Sequence, residues 1–109
     1  MRNLYERLKQ LLAPGFYPDN FLNVARLAEE ASWQAEHPLG LYVLSRMLFS
    51  LGDGWTEQGM ETARAEEMAR TMEPAITGFV TAGAHGLTPD EEVPYLNDLI
   101  RAFLRWRSR

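Results

Sequence analysis

The side chains able to do chemistry are few, and their spacing narrows what they can do. His37 and His85 are the only histidines, and cysteine is absent. Disulfide scaffolds, thiolate zinc sites and cysteine nucleophiles are therefore excluded. A histidine metal site in a helical bundle uses Glu-x-x-His pairs, or a second His one turn away on the same face. Gln34 and Ala82 stand three residues before the two histidines, and no His-x-x-x-His exists. No metal and no cofactor is expected. Both imidazoles fall near the ends of predicted helices, where a partly positive ring suits the dipole.

Carboxylates are more numerous. Glu29, Glu30 and Glu36, and again Glu57, Glu61, Glu66 and Glu67, are interleaved with Arg26, Arg64 and Arg70. Glu66 precedes Arg70 by four residues, the favourable order for a solvated helix face. Ser32, Ser45, Ser50 and Ser108 have no Gly-x-Ser-x-Gly setting. The glycines at 52, 54, 83 and 86 lack the Lys-Ser/Thr pair of a phosphate loop and read as turns. No catalytic constellation emerges, and an enzyme ranks last among the function classes.

Three features remain. Arg46 is the one charge in residues 39–51, where nine of thirteen positions are large and apolar. It must reach water or meet a carboxylate, because an unpaired buried charge is very costly. Leu22 and Trp33 stand eleven residues apart, three helical turns, on a face flanked by Arg26 and Glu29. A tryptophan beside an arginine is the usual make-up of an interface hot spot. Leu22, Arg26, Glu29 and Trp33 are thus the candidate protein-binding residues, unless the body of the domain folds over Leu22 and Trp33. Arg101, Arg105 and Arg109 form a ladder at four-residue spacing, a candidate contact for an anionic partner or a solvated face that suits the helix dipole.

The elements that must position these residues read as helices throughout. Leu4, Leu8, Leu11 and Leu12, with Tyr5, mark one face of a helix over 3–13, with Asn3 and Glu6 at capping-box spacing. Pro14-Gly15 stops it, and Phe16-Tyr17-Pro18 forms a stiff connection. A second helix runs from 19 or 20 to about 36, its main face Phe21, Val24, Leu27, Ala28, Ala31 and Ala35. The third, 39–51, is apolar nearly all round and must be covered on several sides. Gly52-Asp53-Gly54 turns the chain out of it, with Trp55 and Met60 at staple spacing around a Thr56 cap. A fourth helix over 57–72 should be kinked or broken at Pro74, and a short one follows over 75–82. Thr88-Pro89-Asp90-Glu91 is a start signal. Pro94 either kinks the last helix or separates a first turn from a helix over 94–107.

The fold class is therefore all-α: one domain, 1–109, of five to six short helices around 39–51. Its 46% hydrophobic and 24% charged content is ordinary for a globular protein. At roughly 20 Å the apolar helix is too short to span a hydrocarbon core of about 30 Å, so no membrane is expected. The N-terminus lacks a secretory apolar region, which makes the cytoplasm the default location. Net charge is −4, yet residues 1–100 carry −8 and Arg101, Arg105, Arg107 and Arg109 offset half of it. An acidic body disfavours nucleic acid, whose binding rests on phosphate neutralisation. The leading expectation is a non-enzymatic interaction or oligomerisation module, a homodimer or the receptor of a protein partner. One alternative is a small apolar ligand held by Met47, Met68 and Met72 between helices. The other is nucleic acid bound through the terminal arginines.

Overall fold

Apolar spacing decides which face of each helix turns inward. In α1 (Arg2–Leu12) Tyr5, Leu8 and Leu12 recur at three and four residues and are buried. In α2 (Pro18–Ser32) Phe21, Val24, Ala25 and Ala28 are fully enclosed. Leu41, Leu44, Leu48 and Leu51 do the same in α3 (Leu39–Glu57), as do Met68, Met72, Ile76, Phe79 and Val80 in α4 (Thr62–His85). The inward row of α5 (Pro89–Arg107) is Leu96, Leu99, Ala102 and Trp106. These side chains form one continuous core. Each fully buried Leu, Phe or Met contributes about 1.5–3 kcal/mol, which fixes the faces far more firmly than helix propensity.

The structure is a computed structural model that describes residues 2–13, 15, 18–57 and 62–107. Among them all regular structure is α-helical, in five helices. α2 lies along α3 and α4 along α5, while α1 packs on α4 and α2. Tyr5 reaches Gly83 near the end of α4, and Lys9 and Leu12 face Thr77 and Val80. α1 and α4 are thus antiparallel. So are α4 and α5, since Gly78 meets Tyr95 and Arg64 covers Trp106. α3 and α5 run in the same direction: Glu92 sits on Gly40, and Met47 and Ser50 share a groove with Phe103 and Arg107.

Several expected boundaries are corrected. α2 ends at Ser32, not near 36, because the Ser32 hydroxyl donates to the Glu29 carbonyl at 2.7 Å. Trp33 and Gln34 then close the turn with bonds back to Glu30 and Ala31, three residues away. Such local bonds compete with the helical ladder. α3 does not stop at 51 but continues through Gly52-Asp53-Gly54 to Glu57, so the helix start expected at 56 falls inside it. Each interior glycine costs roughly 0.5–1 kcal/mol relative to Ala. Burial of Leu48 and Leu51 on the same helix outweighs it. α4 is one helix across Pro74, not two. Pro74 faces solvent between buried Met72 and Ile76, and so leaves the core side of the helix undisturbed.

At the remaining starts and stops, α1 begins at Arg2 and holds Asn3 inside its first turn rather than ahead of it. Gly15 takes a φ of 141°, a conformation that suits glycine, and its carbonyl accepts from Asn20 Nδ2 at 2.6 Å. α5 is continuous through Pro94 from Pro89, as the Thr-Pro start signal requires. Thr88 N–H donates to Glu91 Oε1 at 3.0 Å, and Glu91 N–H donates to Thr88 Oγ1 at 3.3 Å. This is a reciprocal capping box. The Phe16-Tyr17 connection, Met60 of the expected staple, and Arg109 lie outside the described residues.

Candidate functional site

The α2 residues singled out by spacing lie on its outer side. Trp33 is 84% exposed, Arg26 is exposed, and Leu22 and Glu29 are half-buried. Because α2 ends at Ser32, Trp33 projects from the turn that follows rather than from the helix itself. Glu29 Oε1 lies 3.9 Å from Arg46 Nη1 on α3. Arg46 meets the requirement on its charge twice over: it reaches solvent and faces a carboxylate. Its guanidinium also stands 5.2 Å from the Phe49 ring centroid, within cation–π range.

Arg46 is the hinge between this surface and a second one that spacing alone did not reveal. Between α3 and α5 runs an open groove of about 500 Å³, lined by Tyr42, Val43, Met47, Ile100 and Phe103. Arg46 and Arg107 stand at its edges, Arg107 lying 5.6 Å over the Phe103 ring. Tyr42 and Ile100 are 52% and 40% exposed, and Leu104, next to Phe103, is 55% exposed. The helix expected to be covered on several sides is therefore open along Tyr42, Arg46 and Ser50. Its buried hydroxyl, Ser45, is satisfied by donating to the Tyr42 carbonyl at 2.8 Å.

Of the expected ladder, Arg101 and Arg105 lie together on one side of α5, and Arg109 lies outside the described residues. Arg101 and Arg105 line a shallow depression of about 270 Å³ with Thr71, Pro74 and Asp98, on the α4 side of α5. Arg101 Nη1 lies 3.6 Å from Asp98 Oδ1. Arg107 points to the α3 side, into the apolar groove. The methionines are also divided. Met68 and Met72 are wholly buried core residues, and only Met47 borders the groove.

A third site joins residues from all parts of the chain. Tyr5, Glu36, His37, Gly83, Gly86, Leu87 and Glu92 enclose a pocket of about 190 Å³. Glu92 is only 6% exposed. Burial raises its pKa above 4.5, and the charge of His37 opposes this more weakly. Tyr5 is pushed up to about 12, mainly by burial and then by the charge of Glu92. His37 lies in the connection to α3, beyond the end of α2 at Ser32, and not at the end of a helix running to about 36 as expected. His85 does close α4. The signal for Glu92 was present in the sequence: it precedes Leu96 and Leu99 by four and seven residues, on the apolar stripe of α5.

Among the described residues no group of three or more His, Asp or Glu side chains is arranged to hold a metal ion. No helix of the described residues is long and apolar enough to cross a membrane. Comparison with known protein families, curated proteins and solved structures finds no match for this chain.

Proposed function

We propose that this chain is a non-enzymatic helical interaction module. Its contact surface comprises Leu22, Arg26, Glu29 and Trp33, extended across Arg46 to Tyr42 and Ile100 in the α3–α5 groove. The observation that carries this reading is Trp33, 84% exposed, together with exposed Tyr42 and Ile100 of the α3–α5 groove. An aromatic side chain buries about 150–250 Å² when covered, a gross gain of about 4–6 kcal/mol at roughly 25 cal/mol per Å². Single exposed apolar residues are ordinary, whereas a continuous stretch of them marks a contact surface. A second copy is the occupant we assign first, since symmetric dimers are the commonest closed assembly and use one patch twice. Another protein is the alternative occupant. A cysteine-free acidic chain suits a cytoplasmic location.

Two other readings have weaker support. The open groove beside Met47 offers an apolar ligand only partial cover, whereas ligand pockets enclose most of their ligand. The charge of −8 carried by residues 1–100 disfavours a phosphate backbone. The test is light scattering on wild type, Trp33→Ala and Ile100→Glu across concentration, with circular dichroism alongside. Both variants should dissociate at concentrations where wild type is associated, with helical content unchanged. Association unaffected by either substitution would refute the assigned surface.

A further inference from the structure

We propose that the pocket between α1, the α2–α3 connection and α5 binds a small organic cation, a primary ammonium on a short stem, with Glu92 as its counter-ion. Glu92 occupies a position whose neighbours along the inward stripe of α5, Leu96, Leu99, Ala102 and Trp106, are all apolar and buried. A carboxylate there is costly unless a proton, a hydrogen bond or a positive charge compensates it. Among the described residues no arginine or lysine pairs with it, and the positive charge that acts on it is that of exposed His37.

The backbone makes room for this arrangement. Gly40 has no Cβ where the Glu92 carboxylate lies, and Gly83 has none where the Tyr5 ring lies. A side chain at either position would collide with the group that lines the pocket. Two carboxylates, Glu36 and Glu92, face a single imidazole, which favours a cation and repels a carboxylate or phosphate. The Tyr5 ring and hydroxyl add a cation–π face and a hydrogen-bond partner. At about 190 Å³ the space equals roughly six waters of about 30 Å³ each, the size of an ammonium with a stem of four or five carbons.

The rival explanation makes Glu92 a purely structural acid at the N-terminus of α3, where a carboxylate is stabilised by the helix dipole. Both are tested by following backbone amides by NMR in the full chain at pH 7, titrated with n-butylammonium, 1-butanol or butyrate. The proposal expects saturable shifts at Gly83, Gly86 and Glu92 with butylammonium alone. It expects at least tenfold weaker binding for Glu92→Gln, with stability equal to or above wild type, and several-fold weaker binding for Glu36→Gln at the pocket mouth. Binding should also weaken as Glu92 takes up a proton, with Tyr5, Glu36 and His37 the other titrating groups that face it. Absence of saturation, equal response to butanol, or undiminished binding by Glu92→Gln would overturn the proposal. A destabilised Glu92→Gln, with no butylammonium response in wild type, would assign the residue to α3 instead. If Glu92→Gln fails to fold, the Glu36→Gln affinity decides: unchanged affinity overturns the proposal.

Discussion

Arg46 on α3 and Glu29 on α2 face each other at 3.9 Å with roughly half of each side chain in solvent. That distance and exposure make the pair a surface ion pair, worth about 0–1 kcal/mol and screened by salt. Its larger consequence is positional, because it ties the Trp33 side of the molecule to the rim of the α3–α5 groove.

Arg46→Met should therefore change stability by less than about 1 kcal/mol in a urea melt. The alkyl replacement keeps the packing of the arginine stem while losing the pair and the cation–π contact with Phe49. Association should nevertheless weaken, which light scattering on the same variant would register. A loss of several kcal/mol in stability would mean that Arg46 anchors the fold rather than its surface.

The glycines predict opposite signs. A Cβ at Gly54 would meet nothing within 4 Å, and the residue lies inside α3. Gly54→Ala should stabilise by about 0.5–1 kcal/mol through helix propensity and reduced freedom of the unfolded chain. A Cβ at Gly83 would run into the Tyr5 ring, so Gly83→Ala should destabilise by roughly 1–3 kcal/mol, the usual cost of overpacking. Chemical denaturation of the two variants measures both.

Thr88→Ala removes one half of the capping box and should cost about 1 kcal/mol. The Thr88 backbone N–H first, and the Thr88 hydroxyl second, hold the exposed Glu91 carboxyl below 4.5. A depressed carboxyl stabilises the fold above the ordinary carboxylate range and loses that effect as pH falls through the depressed value. In Thr88→Ala the Glu91 carboxyl should move only part of the way toward the ordinary range, because the backbone N–H of residue 88 that chiefly lowers it remains, and side-chain NMR resolves this directly.

Glu92 carries the opposite sign. Its folded pKa lies above 4.5, so the folded chain keeps a proton where the unfolded chain releases it. Stability should fall as pH rises from about 4.5 through the raised value and level off above it. Glu92→Gln should remove that slope, and urea midpoints from pH 4 to 8 compare the two proteins. An unchanged slope would place the titration on another group.

Much of the fold was legible because it rests on local repetition. The inward faces of α1, α2 and α5 follow from leucine and aromatic spacing, and the start of α5 from Thr88-Pro89. The ends of α3 and α4 were not legible. Gly52, Gly54 and Pro74 are local breakers whose cost is overridden by burial along the same helices, a tertiary effect absent from local sequence. Trp33 was visible as a residue off the main apolar face of α2, but local pattern did not decide whether the domain covers it; its 84% exposure does. The α3–α5 groove was not, since Tyr42 and Ile100 lie 58 positions apart and come together only through parallel packing. The polar pocket draws on three helices and two connections, and only the place of Glu92 on an apolar stripe announced it.

The central claim, that the exposed surface around Trp33 holds a second copy, is tested most directly by sedimentation equilibrium of the wild-type chain over a wide concentration range. The monomer mass is 12.5 kDa. The account predicts an average mass that rises with concentration toward twice that value. A mass that stays at the monomer value throughout would contradict self-association.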